Sequence, residues 1–205
     1  RAHGSPRRSA RSNAPPITKA EPSKGRILVI LIDSLQADAA FSDRMPFLSR
    51  YREKGAWGIS EVVSTPLSIA GDYAIFAGIM ASPAAFLDDF RASTVTQDNL
   101  FKRLSRQGKR IALFGPLIRS AYGAYTDLGV YRPRAFRFSE YREEARDVFE
   151  QAYSFLKANP WDVAVVQFVS LDYVGHLETP LSENYRRALG MFDGYAEKLV
   201  GLVND

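Results

Sequence analysis

The chain has 205 residues, 46% of them hydrophobic and 12% aromatic, and no cysteine. That is ample for a globular core, and it excludes a disulfide framework, a thiolate metal site and a cysteine nucleophile. The formal charge of +4 is local: residues 1–26 hold seven Arg or Lys against one Glu, or +6, leaving 20 basic and 22 acidic residues, or −2, for the other 179. The globular part is therefore not basic, and no specific nucleic-acid partner is expected.

No apolar run approaches the ~18 residues of a membrane span. The first residues are neither a signal peptide nor an initiator Met, which reads as a chain trimmed at its front. Residues 1–25, beginning Arg1-Ala-His-Gly-Ser-Pro-Arg-Arg, are Pro/Ser/Arg-rich and aperiodic. They predict a disordered basic tail or linker, with a solvated spacer preferred over a segment that touches lipid or nucleic acid. Residues 26–205 read as one domain.

Within that domain Arg26 to Ile32 is an unbroken apolar run ending in Asp33, the pattern of a strand covered on both faces. Residues 45–54 predict a short helix with Pro46 in its first turn, Gly55 as its stop and Phe47, Leu48 and Tyr51 turned inward. A strand is expected over 57–63. The stretch 64–78 follows as a helix whose small residues Ala70, Gly71, Ala74 and Ala77 let it approach the sheet closely. Residues 79–97, with Pro83 and the Asp88-Asp89 pair, carry no readable role.

Asp98 opens a helix through Leu104 that Gly108 ends, and 110–114 is a further strand. Residues 115–134 read as a Gly/Tyr-rich loop able to reach over a site. Ser139 is expected to cap a helix with Ala145, Val148, Phe149, Ala152, Tyr153 and Leu156 on one face, stopped by Asn159-Pro160. A second, mostly apolar run over 163–171, with a strand expected near 162–170, is followed by Asp172 and, across a glycine expected to turn the backbone tightly, by His176. Ser182 begins a last helix that turns Tyr185, Ala188, Leu189, Phe192, Leu199, Val200 and Val203 to one side. The alternation predicts an α/β domain, a mainly parallel sheet with helices on both faces. Because it stops on an amphipathic helix, a further strand is expected and the domain reads as incomplete at its C-terminal side.

Two apolar strands thus end in carboxylates, Asp33 and Asp172, and His176 is the one histidine outside the tail. Carboxylate and neutral imidazole are good ligands for a zinc-like cation, and the exit of a parallel strand is where open α/β sheets place their sites. The plainer alternative makes Asp172 a helix cap and His176 merely exposed. Between them in sequence Ser68 places a hydroxyl at a helix start, where unpaired backbone N–H groups favour an anion such as phosphate. Two cations and a hydroxyl make a phosphoryl-transfer site.

These elements, Leu31-Ile-Asp-Ser-Leu-Gln-Ala-Asp38, a hydroxyl ten residues before Gly78, and Asp172-x-x-Gly175-His176, resemble the alkaline phosphatase superfamily over roughly residues 26–205. The branches most similar are the type I phosphodiesterases/nucleotide pyrophosphatases and the GPI ethanolamine phosphate transferases. A helix over 182–204 with an Asp near its middle fits the same pattern. The resemblance implies a hydrolase or phosphotransferase with Ser68 as nucleophile and two divalent metal ions of the zinc type. Asp33 and Ser68 would bind one ion, and Asp172 and His176 the other. It also implies a small-molecule phosphate ester or phospholipid-type substrate. An extracytoplasmic or membrane-associated location, through an anchor outside this chain, goes with it.

Three departures stand beside the match. Gly71-Asp72 occupies the place of the Asn-His pair of phosphodiesterase relatives, Thr65 is a second hydroxyl ranked below Ser68, and the family's remaining ligands would lie beyond Asp205. Other expectations are a catalytically degenerate domain used for binding or scaffolding, and a sulfatase-like hydrolase. The sulfatase reading lacks its Cys/Ser-x-Pro-x-Arg element here, and a phosphoglycerate mutase branch shares nothing beyond a Ser nucleophile.

Overall fold

The computed structural model describes residues 25–60, 67–79, 94–126, 128, 131–132, 134–135 and 137–204. The expectations for the tail before Gly25, for Thr65, and for Pro83 and Asp88-Asp89 lie outside the described residues.

Three of the apolar runs are strands: β1, Ile27–Ile32, β2, Ile111–Phe114, and β3, Val163–Phe168. They form one parallel sheet in the order β1-β3-β2. Ile27 pairs with Val163 and Ile32 with Phe168 on one side, while Ile111 pairs with Val163 and Phe114 with Val166 on the other. A central parallel strand is covered on both faces, so its sequence does not alternate, and all six residues of β3 are buried. The pleat still sorts them. Ala164, Val166 and Phe168 join Ala112 and Phe114 in one core, whereas Val165 joins Ile111 and Leu113 in the other.

Helices close both faces. They are α1, Ala37–Ala40, α2, Pro46–Tyr51, α3, Ser68–Ala77, α4, Leu100–Arg106, α5, Pro116–Tyr122, α6, Tyr141–Ala158, α7, Ser170–Leu177, and α8, Glu183–Asn204. The first core takes Ala145, Val148, Ala152 and Leu156 from α6, Leu171 and Val174 from α7, and Tyr185, Leu189, Phe192 and Leu199 from α8. The second takes Ile69, Tyr73 and Phe76 from α3, Phe101 from α4, and Ile118, Ala121 and Tyr122 from α5.

At the strand entrances Asp162 fixes the register of β2 against β3. Its carboxylate accepts from the Arg110 backbone N–H at 2.8 Å and from the guanidinium Nε at 2.9 Å and Nη2 at 3.0 Å, while its own N–H donates to the Arg110 carbonyl at 2.9 Å. The forked contact is short and largely buried, so it holds the Arg110 guanidinium protonated even more firmly than usual.

The structure corrects several expectations. Trp57 to Ser60 are irregular rather than strand, and Trp57 and Ile59 are 60% and 78% exposed. The stretch has no ladder partner among the described residues, so its apolar alternation has no sheet to join. In α2 Pro46 does hold the first turn, but Tyr51 is exposed and the fully buried side chain is Met45, just before the helix. Of the small residues in α3 only Ala70 is fully buried, and a Cβ added at Gly71 would meet nothing within 4 Å.

Asn99, not Asp98, caps α4, accepting from the Lys102 N–H at 2.8 Å, while Asp98 pairs with Arg103. Ser139 sits inside a 3₁₀ turn, Phe138–Glu140, that leads into α6. Within the loop expected over 115–134, Pro116–Tyr122 is instead α5 and Gly123–Tyr125 a 3₁₀ turn. Gly175 lies within α7, so Asp172 and His176 are one helical turn apart instead of flanking a bend.

Candidate active site

β1 and β3 run parallel, so their ends deliver Asp33 and the start of α7 to the same edge of the sheet. Asp33 continues the ladder by one step: its N–H donates to the Phe168 carbonyl at 2.9 Å. Its carboxylate accepts from Ser68 Oγ at 2.6 Å. Ser68 is the first residue of α3 and follows Leu67, whose extended backbone and carbonyl open the helix by accepting from the Gly71 N–H at 3.0 Å. At that position the backbone N–H groups of the first turn face outward with their partial positive charge.

Ser34 then reverses the chain with φ +58°, the one non-glycine residue with positive φ among the described residues. A serine tolerates the left-handed region only at a cost, and here that conformation sends its side chain across the gap between strands. Ser34 Oγ donates to Asp172 Oδ1 at 2.5 Å, and the Ser34 carbonyl accepts from the Tyr185 hydroxyl at 2.9 Å. Asp172 Oδ2 lies 3.3 Å from His176 Nε2, the i and i+4 positions of α7 sharing one face.

The four predicted residues thus form two pairs, Asp33 with Ser68 and Asp172 with His176, bridged by Ser34. Two adjoining clefts hold them. One, of about 360 Å³, is lined by Asp33, Ser34, Ser68, Gly71, Asp72, Gln167 and Asp172 among others. The other, of about 430 Å³, is lined by Ser34, Gln36, Asp172, His176 and Tyr185 among others. Both fall within the size range of small-molecule sites. Tyr173, beside Asp172, has its phenol pushed up by burial and then by the negative charges of Glu144, Asp172 and Asp33.

The charge of the clefts is one-sided. Three carboxylates, Asp33, Asp72 and Asp172, line the first, and neither Lys nor Arg lines either cleft among the described residues. Such a surface repels a phosphate ester unless cations come with it. The donor chemistry, carboxylate oxygen, hydroxyl oxygen and imidazole nitrogen, suits divalent cations. Among the described residues no group of three or more His, Cys, Asp or Glu could hold one ion, so either pair, Asp33 with Ser68 or Asp172 with His176, could supply at most two of an ion's ligands.

Sequence reasoning missed three contributors, Gln167, Ser34 and Tyr185, and met Asp72 only as a departure from the family pattern. Gln167 and Asp72 are both buried, and Gln167 Nε2 donates to Asp72 Oδ1 at 3.1 Å and Oδ2 at 2.9 Å. The signal available was a lone amide in the apolar run Val163-Ala-Val-Val-Gln-Phe168, because a polar group buried in a strand needs a partner. Ser34 and Tyr185 carried no such signal. The Asp near the middle of the last helix is Asp193, which lines neither cleft. Buried, it accepts from the Phe47 and Leu48 N–H groups at 2.8 and 2.9 Å and so caps the start of α2.

No family model matches the chain. It is 22% identical over 205 residues to human GPI ethanolamine phosphate transferase 2, catalytic subunit, covering 95% of this chain and 20% of that protein. It is 26% identical over 125 residues to the human transferase 3 catalytic subunit, covering 57% of this chain and 11% of that protein. The chain therefore spans about a fifth or less of the curated relatives it matches. In fold it is similar to phosphonoacetate hydrolase from Sinorhizobium meliloti in complex with phosphonoformate. There the TM-score is 0.66 at 19% identity, over 88% of this chain and 54% of that one. The complex of the same hydrolase with phosphonoacetate gives 0.64 at 18% identity. In sequence and in fold alike, the chain is similar to the alkaline phosphatase superfamily, as its motifs imply.

Proposed function

We propose that residues 26–205 are part of the catalytic domain of a metal-dependent phosphoryl-transfer enzyme with Ser68 as its nucleophile. The observation that carries this reading is the 2.6 Å hydrogen bond from Ser68 Oγ to Asp33 in a cleft at the carboxyl ends of β1 and β3. Asp33 and Ser68 would hold one divalent cation of the zinc type, and Asp172 and His176 the other. Bound cations would lower the pKa of a coordinated hydroxyl and neutralise the phosphate oxygens.

Asp33 accepts the hydrogen bond of Ser68 Oγ and so orients the hydroxyl in the cleft; with a cation held by Asp33, the Ser68 proton would pass to solvent rather than to the carboxylate. Ser68 Oγ then forms a bond to phosphorus as the bond to the leaving alcohol breaks, giving a phosphoserine ester. In the second displacement water or an acceptor alcohol bonds to phosphorus as the phosphorus–Oγ bond breaks; its proton goes to Ser68 Oγ, and the proton lost by Ser68 in the first step is the one the leaving alcohol takes up through solvent. Ser34 holds Asp172, and Asp172 in turn faces His176 Nε2.

The substrate class is a small phosphate ester or a phospholipid-type phosphodiester, in line with the names of the sequence relatives. A membrane-associated location of the whole protein is part of the same proposal, supported by relatives named for a GPI-directed transfer. Among the described residues no helix is long and apolar enough to cross a membrane. Hydrolysis of aryl phosphate mono- and diesters by wild type and Ser68→Ala, with metal analysis of both, tests the proposal. Turnover should be lost by several orders of magnitude while bound metal is mostly kept. The competing reading of a degenerate binding domain is favoured by Gly71-Asp72: Gly71 offers no side chain where phosphodiesterase relatives carry the phosphate-contacting Asn, and the Asp72 carboxylate is taken up by Gln167. Metal-loaded protein with no turnover to lose would support it.

A further inference from the structure

We propose that Asp72 and Gln167 are positioning residues, a clamp that fixes the start of α3 against the central strand and so sets where Ser68 Oγ stands. The inference rests on the reading of Ser68 as nucleophile. Asp72 is one helical turn after Ser68, so the two share a face of α3, and both line the same cleft. Gln167 is the penultimate residue of β3 and pairs with Leu31, two positions before Asp33.

The contacts close a ring. Ser68 Oγ meets Asp33, the Asp33 N–H meets the Phe168 carbonyl, Gln167 precedes Phe168, and Gln167 Nε2 donates to both oxygens of Asp72. A displacement of α3 along the sheet breaks this ring at Ser68 or at Asp72.

Gln167 is itself held rigidly. Its Oε1 accepts from the Ile118 N–H in α5 at 2.7 Å, which leaves Nε2 facing Asp72. Gly115 passes so close that a Cβ there would come within 2.5 Å of the Gln167 carbonyl. On the far side the Tyr122 hydroxyl donates to the Asp72 carbonyl at 3.2 Å. A carboxylate and an amide, each 3% exposed, are costly to bury, and they recover that cost only in this one arrangement. Apolar residues at the same places would pack α3 but leave it free to slide.

The test uses the whole chain with Gln167→Glu, which sets two carboxylates against each other, and the reciprocal swap Asp72→Asn/Gln167→Glu, which restores a donor facing an acceptor and keeps an oxygen for Ile118 N–H. In Gln167→Glu, amide hydrogen exchange across 69–73 should accelerate at least ~10-fold while α6 holds its protection. For an aryl phosphodiester kcat should fall ~10–100-fold with KM within ~3-fold, because the nucleophile is misplaced and binding is not. The swap should return both readouts to within ~3-fold of wild type. Unchanged exchange in Gln167→Glu, or a swap that restores exchange protection without kcat, overturns the clamp. If Gln167→Glu does not fold, Asp72→Ala, which removes the acceptor of Gln167 Nε2 altogether, decides by the same exchange measurement, and normal protection there overturns it. Ser68→Ala runs alongside: if it keeps wild-type turnover the nucleophile reading fails, while the exchange result still decides the clamp.

Discussion

Glu144 offers a test of the packing behind the site that needs no substrate. It lies on α6 at 3% exposure, beneath the first turn of α7. One carboxylate oxygen accepts from Ser170 Oγ, and the other is buried with no hydrogen-bond partner among the described residues. Burial, reinforced by the nearby Asp147 carboxylate, pushes its pKa from the ordinary 4.5 up to about 7.

The sign follows from proton counting. Between pH 4.5 and about 7 the folded protein keeps a proton that the unfolded chain has released, so stability falls as pH rises through that window and is flat above it. At 1.36 kcal/mol per pH unit the gap amounts to about 3 kcal/mol. Glu144→Gln removes the titration, keeps an acceptor for Ser170, and leaves an amide N–H short of a partner at a cost of about 1–3 kcal/mol.

The variant should therefore be no more stable than wild type at pH 4.5, gain on it up to about pH 7 and hold a constant difference above that. Urea unfolding of both proteins across that range measures the difference, in which the other carboxylates cancel. Two parallel curves would mean that Glu144 is ionised at neutral pH and that its surroundings are wetter than the structure shows.

Further expectations concern single contacts. Asp193→Ala removes the acceptor of the Phe47 and Leu48 N–H groups and should cost about 1–3 kcal/mol in thermal unfolding, against a smaller loss for Asp193→Asn. Gly115→Ala must place a Cβ within 2.5 Å of the Gln167 carbonyl at φ +121°, and should cost about 2–4 kcal/mol by the same measurement. Asp172→Ala and His176→Ala should each lower the metal content of the loaded protein by about one ion, and full stoichiometry in both would place the ligands elsewhere.

How far the sequence carried depended on how each element is stabilised. β1, β2 and β3 were legible because strands buried on both faces must be apolar throughout, and α6 and α8 because each buries one periodic stripe. The Gly and Tyr content of the stretch after β2 predicts a loop where the structure has α5. Gly115 followed by Pro116 was in fact a helix-start signal, since Pro fits the first helical turn without losing a hydrogen bond. The stretch 57–60 failed the other way, because alternation specifies a face to bury and cannot supply the neighbouring strand.

At the site, strand endings point to Asp33 and Asp172, spacing to His176 and the family resemblance to Ser68; the structure brings the four to one edge of the sheet, and their roles belong to the proposal. The bend expected at Gly175 was not found, since glycine is tolerated within a helix that tertiary packing holds, here through Leu171 and Val174. Ser34 was invisible because its role lies in a backbone angle. Asp72 and Gln167 are separated by 95 positions and acquire meaning only when α3 is laid on β3.

The central claim, that Ser68 attacks phosphorus, is tested most directly by mass. Full-length protein loaded with zinc, mixed with an aryl phosphodiester and quenched in acid within one turnover, should carry the phosphoryl ester on the peptide that contains Ser68, and Ser68→Ala should carry none. An adduct on another residue, or turnover with no adduct in either protein under conditions that make the second displacement limiting, would contradict it.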